Sequence, residues 1–368
     1  MYFNLVVTID TIVVVKKQGE GDMSLTTKIG FLQFGLGPIG LEIVKNMMNV
    51  HQLDVLGAVD IDPEKVGKDL GELLGTEEKG VQVVSSLDDV QVTEDYDKKV
   101  AIHATGSNLE NVWPQIKELL DHGFSVVSTC EQLSYPWHRY PELAKEIDDY
   151  AKNKGLTVIG TGINPGFVMD TLAVVLSSVT NQFEDIKVLR KVDVSKRRLP
   201  LQKKVGVGMT VDEFNALAKE NRIGHVGLEE SARLLAYGLG LELAEVKNSI
   251  KPVIADKAYQ VAAGDLAAGQ VAGQHQFVEA KTVDGKNIVL ELMMAVSVDQ
   301  EDRITFEGPE PIEIVVPNGI FGDTATAAMV INTAKLIGTD AAFGLLTMVD
   351  IRLPRHLHGI GRSAVPTK

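Results

Sequence analysis

Lys28-Ile29-Gly30-Phe31-Leu32-Gln33-Phe34-Gly35-Leu36-Gly37-Pro38-Ile39-Gly40 is a short apolar run that ends in a glycine loop. Behind it, Ile39, Ile43, Val44, Met47 and Met48 recur at helical spacing up to Val50. A strand, then G-x-G-x-x-G, then a helix is the context in which this pattern binds a dinucleotide. Gly35 permits the tight turn, Gly37 lets backbone approach a pyrophosphate, and Gly40 lets helix pack on strand. Pro38 and Ile39 open the helix, whose N-terminal N–H groups and positive dipole end suit phosphate. Asp60 ends a second strand, Leu53 to Val59, twenty residues after Gly40. That is the place for a carboxylate holding a ribose 2′-hydroxyl. The plainer alternative is a glycine turn in some other α/β protein. Asp60-Ile61-Asp62 favours NAD over NADP, because a 2′-phosphate would meet negative charge. No arginine follows at once, and Lys65 is the nearest cation, so a lower Michaelis constant is expected for NADH than for NADPH.

From this loop outward, strands and helices alternate. Val100 to Ala104, Phe124 to Ser128 and Leu156 to Gly160 read as strands, with helices at Leu109 to Leu120 and Pro141 to Lys154. Such alternation implies a parallel sheet covered on both faces. The texture then changes: Ile186 to Val194, Gln276 to Val283, Ile288 to Val298 and Ile312 to Val316 are strand-like, and Asp284-Gly285-Lys286-Asn287 signals a hairpin. Asp323 is placed to cap a helix from Ala325 to Ile337, and the tail from Thr339 reads as loop. Ala262 to Gly273, rich in alanine and glycine, reads as a loop beside a site or interface. The expected fold is α/β, with an N-terminal Rossmann dinucleotide-binding domain (residues 23–165) and an α+β second domain with a mostly antiparallel sheet (166–322). A C-terminal helix and tail (323–368) is expected to pack back on the Rossmann domain. Residues 1–22 read as an extension before Met23, the alternative being an edge strand from Leu5 to Val15.

The 368 residues carry 36 lysines and arginines against 50 acids, a net charge of −14. That surplus repels phosphate backbones and anionic membranes, so neither nucleic acid nor membrane is an expected partner. Asp10 and two threonines interrupt the longest apolar stretch, Leu5 to Val15, and about 20 apolar residues are needed to span a bilayer. The single cysteine, Cys130, excludes an intrachain disulfide and a zinc–cysteine cluster, which fits a reducing, cytoplasmic compartment. The eight histidines show no ligand cluster, and no metal is expected.

Ligands of doubly wound sheets sit beyond the carboxyl ends of the strands. One strand ends in Thr105-Gly106-Ser107, small enough for a ribose or ring to approach. Another ends in Thr129-Cys130-Glu131, and a third in Thr161-Gly162-Ile163-Asn164-Pro165-Gly166. Glu131 is the candidate catalytic carboxylate: desolvation in the cleft would raise its pKa toward the range of proton exchange. It could equally be an ordinary solvated loop glutamate. Cys130 reads first as a buried packing residue, since no histidine neighbours it in sequence. Arg190 shares a strand face with Val188, Val192 and Val194, so it either holds a substrate carboxylate or forms an internal salt bridge. His225, between Gly224 and Val226-Gly227, either reaches the site or is a satisfied core or loop histidine. Trp137 and Phe167 lie close to the site strands in sequence and are candidates to shape the pocket, although Trp137 could also be a packing residue.

Taken in order, Gly35-Leu36-Gly37-Pro38-Ile39-Gly40, Thr105-Gly106-Ser107, Thr129-Cys130-Glu131-Gln132-Leu133, Gly160-Thr161-Gly162-Ile163-Asn164-Pro165-Gly166-Phe167 and Gly224-His225-Val226-Gly227-Leu228 resemble the 2,4-diaminopentanoate dehydrogenase family, which includes the native amine dehydrogenases. The likeness continues through Lys196-Arg197-Arg198, Lys204-Val205-Gly206, Gly269-Gln270-Val271-Ala272-Gly273, Asn318-Gly319-Ile320-Phe321-Gly322-Asp323 and Gly344-Leu345-Leu346-Thr347-Met348. Dihydrodipicolinate reductase has a cousin fold, but its paired-histidine signature is missing from this sequence. The resemblance implies NAD(H)-dependent, or NADP(H)-dependent, reductive amination of small carbonyl compounds with ammonia and the reverse deamination of amines. It implies Glu131 as acid/base, Thr105, Gly106, Cys130 and Asn164 beside the cofactor, Arg190 and His225 toward the substrate, and a homodimer built through the second-domain sheet. The alternatives are 2,4-diaminopentanoate dehydrogenase proper and an alcohol or semialdehyde oxidoreductase on a related fold.

Overall fold

The computed structural model describes residues 27–51, 53–92 and 95–355. The expected extension at 1–22 and the last two histidines, 356 and 358, lie outside these residues. The first sheet holds β1 (Ile29–Phe34), β2 (Val55–Val59), β3 (Val83–Val84), β4 (Lys98–His103), β5 (Ser125–Ser128) and β6 (Thr157–Gly160). They run parallel in the order β6-β5-β4-β1-β2-β3. The reversal of strand order falls between β1 and β4, which opens a crevice at their carboxyl ends.

Successive residues of a strand point to opposite faces, and both faces here are covered. Phe31, Ile102, Val127 and Ile159 pack on one side with α1 (Pro38–Asn49), through Ile43, Val44 and Met47. Leu32, Ala101, Val126 and Val158 pack on the other side with α3 (Leu109–Asp121) and α4 (Pro141–Lys154), after the short α2 (Leu70–Leu74). Truncating such a fully buried side chain, Ile102→Ala for example, costs about 2–5 kcal/mol.

The second sheet holds β7 (Asp185–Asp193), β8 (Leu243–Ile254), β11 (Val271–Thr282), β12 (Asn287–Ala295), β13 (Glu301–Glu307) and β14 (Ile312–Pro317), while β9 (Tyr259–Val261) and β10 (Gly264–Leu266) form a separate hairpin. Its order is β14-β13-β7-β12-β11-β8, antiparallel except for the β7–β12 pair. Val188, Leu290, Val278 and Ile304 face a core closed by α5 (Thr171–Leu176) and α8 (Leu228–Gly238), while α6 (Leu199–Lys204) and α7 (Val211–Lys219) lie between β7 and β8 in the chain. The stretch Ala262 to Gly273, expected as loop, instead contains β10 and the start of β11. Backbone pairing of Gly264 with Val261 and of Leu266 with Tyr259 needs no apolar pattern, which explains the difference.

The chain then returns to the first sheet. Helix α9 (Gly322–Thr339) buries Val330, Ile331 and Ala334 among the residues that α1 covers. Its N-cap is Phe321, so Asp323 sits in the first turn rather than capping it. The tail is not all loop either: β15 (Gly344–Leu346) adds a parallel edge strand to β6. No helix among the described residues is long and apolar enough to cross a membrane.

Candidate active site

The carboxyl ends of β1, β4, β5 and β6 face the second sheet across a cavity of about 400 Å³. Its floor begins at the glycine loop. Gly35 has φ +92°, and a Cβ at Gly40 would run into the Gly35 carbonyl oxygen. A Cβ at Gly37 would meet no atom within 4 Å, so the backbone there is open to a close ligand. No side chain caps α1 at Gly37, which leaves its first-turn N–H groups for an anion. Gly37, Pro38 and Ile39 line the cavity, as do Thr105, Gly106 and Asn164. These are the features a dinucleotide pyrophosphate requires.

Asp60 lies beside the loop rather than in the cavity wall. Its Oδ2 accepts the Leu36 N–H (2.6 Å) and its Oδ1 the Asp62 N–H (2.8 Å). Lys65 pairs with both Asp60 (3.4 Å) and Asp62 (3.0 Å). At the end of β4, His103 is buried against Ser128 and Gln115, and Thr105 hydrogen-bonds to Gln115 (2.6 Å). Burial pushes His103 down to about 4, so it is a neutral strut beneath the site.

Glu131 opens a single 3₁₀ turn directly after β5, and its side chain lines the cavity at 19 % exposure. Lys204 Nζ stands 3.7 Å from Glu131 Oε1. Behind Glu131, Gly227 has φ +103°, and a side chain there would strike Pro165 and come within 3.0 Å of the Glu131 Cβ. Gly227 thus lets the α8 terminus close up against the carboxylate's own turn.

His225 lines the same cavity. Its Nε2 lies 2.9 Å from the Asn164 carbonyl oxygen, an acceptor only, so Nε2 carries the proton and Nδ1 is left as an acceptor. Burial, then the Lys204 charge, push the imidazole down to about 4, against the opposite pull of Glu131. Lys204 is itself set by α6, which buried Gln202 anchors by donating to the Val194 and Ser195 carbonyls and accepting from the Ala263 N–H.

Four residues do not take the site roles considered for them. Arg190 borders the cavity but is spent on an internal salt bridge: Nη1 reaches both Asp302 oxygens (2.8 and 2.7 Å) and Nη2 the Ile320 carbonyl (2.8 Å). Trp137 and Phe167 are not part of the wall. Trp137 packs beside Tyr135 on the α3–α4 side of the first sheet, and Phe167 on the core of the second, where large apolar area is better buried. Cys130 is fully buried, donates to the Ser107 carbonyl (3.2 Å), and is pushed up to about 12 by burial and by Glu131. It supports the turn rather than touching a ligand.

The residues missed are basic. Arg197, Arg198 and Lys204 line the cavity, with Asp323 and Thr326 from α9. Arg197 pairs with Asp323 at 2.7 Å, and Arg198 approaches it at 3.6 Å. The signal was Lys196-Arg197-Arg198 and Lys203-Lys204, two basic clusters in an acidic chain.

A Rossmann-type sheet, an uncapped glycine loop and a carboxylate beyond the neighbouring strand define a nicotinamide-dinucleotide dehydrogenase. Residues 167–366 match the family model described as the 2,4-diaminopentanoate dehydrogenase C-terminal domain, and the chain belongs to that family. It is 29 % identical over 357 residues to a 2,4-diaminopentanoate dehydrogenase of Acetoanaerobium sticklandii, covering 92 % of this chain and 97 % of that one. It is 23 % identical over 366 residues to an amine dehydrogenase of Streptomyces virginiae, covering 91 % and 99 %. Among solved structures, an amine dehydrogenase from Mycobacterium smegmatis superimposes with a TM-score of 0.80 at 25 % identity, covering 91 % of this chain and 99 % of that chain. The protein is an oxidoreductase acting on CH–NH₂ groups.

Proposed function

We propose that this chain is an amine dehydrogenase that reductively aminates small aldehydes and ketones with ammonia, and catalyses the reverse deamination, with Glu131 as acid/base. The observation that carries the reading is Glu131 itself, a carboxylate in the wall of the cavity that the glycine loop opens into. Ammonium must lose a proton before its nitrogen can attack a carbonyl, and the carbinolamine must lose water to become an iminium. Glu131 takes up the ammonium proton, releases it once the carbinolamine has formed, and as a carboxylate again stabilises the iminium cation electrostatically. A nicotinamide dinucleotide held by Gly37, Pro38, Ile39, Thr105, Gly106 and Asn164 supplies the hydride when bound. Asp60, with Asp62 beside it, favours NAD(H) over NADP(H) at the ribose. NADH consumption with ammonium and a panel of carbonyl compounds tests the reading. Turnover that does not depend on ammonium would refute it.

A second reading, 2,4-diaminopentanoate dehydrogenase proper, is supported by the cationic cavity wall. Arg198 keeps 41 % exposure and offers positive charge to a substrate carboxylate. The fully buried Cys130 thiol speaks against a cysteine-nucleophile semialdehyde dehydrogenase. Turnover of 2,4-diaminopentanoate beside that of sec-butylamine separates the amino-acid substrate from the simple amine. We also propose a homodimer through the open face of the second sheet, where Phe277, Met293 and Leu189 stay only half-buried, and light scattering on the purified chain tests it.

A further inference from the structure

The cations around the cavity are unequally employed. Arg190 is held by Asp302, and Arg197 and Arg198 are drawn to Asp323. Among the described residues, Lys204 is the cation within ion-pair range of Glu131. It also stands on a boundary. Lys204 and His225 line both the inner cavity and a second chamber of about 670 Å³ on the far side. A proton lost from Lys204 can therefore be replaced from solvent through that chamber, without passing the hydride-transfer site. His225 cannot do this work, because its one N–H is tied to the Asn164 carbonyl.

We propose that Lys204 is a second catalytic residue, the group that exchanges the proton of the departing oxygen while Glu131 serves the nitrogen. This rests on the amine-dehydrogenase reading. In the amination direction the Lys204 ammonium protonates the carbinolamine hydroxyl. The C–O bond breaks with its electron pair on oxygen, water leaves, and the nitrogen lone pair completes the iminium. Lys204, now an amine, recovers a proton from the outer chamber. In the reverse direction Lys204 first releases its proton to the outer chamber, water adds to the iminium carbon, and the water's proton passes to the Lys204 amine. One group thus need not hold both protons at once, and a carboxylate and an ammonium 3.7 Å apart are suited to opposite halves of the task.

The order of events gives a clean test. In oxidative deamination the hydride leaves before the iminium meets water, so Lys204 is needed only after the first NADH has formed. Stopped-flow fluorescence with NAD and 2,4-diaminopentanoate, and again with sec-butylamine, should show Lys204→Met forming its first NADH at the wild-type rate, as a burst stoichiometric with enzyme. Its steady-state turnover should then fall by about 100-fold, the size of a lost acid/base group. Lys204→Arg keeps the charge beside Glu131 but cannot give up its proton, so it should show the same burst and the same slow turnover. NADH titration verifies that both variants fold. A first turnover slowed as much as the steady state would make Lys204 a binding group and overturn the proposal, as would wild-type turnover in either variant. Glu131→Gln keeps the underlying reading separate: it should lose the burst itself, and a wild-type burst there would refute the role of Glu131 whatever Lys204 does.

Discussion

Asp302→Ala should unfold the protein more easily by several kilocalories, because it strands a buried charge. Arg190 and Asp302 are 4 % and 3 % exposed, and the guanidinium meets both carboxylate oxygens. The same carboxylate also accepts the Ile320 N–H (2.7 Å), while Arg190 donates to the Ile320 carbonyl. The pair thus ties β7 and β13 to the turn that starts α9 and sets Asp323 in the cavity wall. Removing one partner of a buried ion pair costs about 3–5 kcal/mol, since the remaining charge cannot return to water. At about 2–4 °C per kcal/mol for domains of this size, the melting temperature should fall by roughly 6–20 °C. Replacing both partners, Arg190→Met with Asp302→Leu, should recover most of the loss, because neither charge is left unpaired. Thermal unfolding followed by circular dichroism reads both effects. An Asp302→Ala variant within about 1 kcal/mol of wild type would refute the argument. A double variant that is stable but has lost substrate affinity would return Arg190 to the role of carboxylate binder.

Further predictions concern the cysteine, the histidines and the glycine loop. Iodoacetamide should leave native Cys130 unmodified, and Cys130→Ala should retain turnover; rapid alkylation of the folded protein would contradict its burial. His103 and His225 are held near 4 in the folded state but titrate near 6.5 when unfolded, so the unfolded chain binds more protons between these values. Stability should therefore fall as pH drops from about 6.5 to 4.5, on the order of 1 kcal/mol per pH unit for each histidine. A flat unfolding profile across that window would argue that the imidazoles are not buried neutral. Gly40→Ala should abolish NADH binding in a fluorescence titration, because the added methyl displaces the Gly35 carbonyl and opens the loop; unchanged affinity would count against the packing argument.

The features legible in the sequence are those whose chemistry is local. Strand, glycine loop and helix are consecutive from Ile29 to Asn49, so periodicity and spacing suffice to place them. Glu131, Asn164 and His225 were also found: each follows or adjoins a strand end or glycine turn, and all three reach the cavity. Lys204, Arg198 and Asp323 were missed because they arrive from α6 and α9, and only tertiary packing brings them opposite β5. Alternation put Arg190 on the buried face of β7, but its partner lay 112 residues away in β13. There, Asp302 alternates inward with Ile304 and Phe306, and that was the available clue. Strand β8 leaves seven of its twelve residues exposed at a sheet edge and gives no alternation to read, while β15 has three residues and is set by pairing with β6. Trp137 and Phe167 misled because nearness in sequence to a site strand does not say which face a large side chain takes.

The most direct test follows NADH in the presence of a carbonyl compound, with and without ammonium, for the wild type and for Glu131→Gln. The account predicts consumption only when both reactants are present, and its collapse in the variant while NADH still binds. Consumption without ammonium, or wild-type turnover in Glu131→Gln, would contradict it.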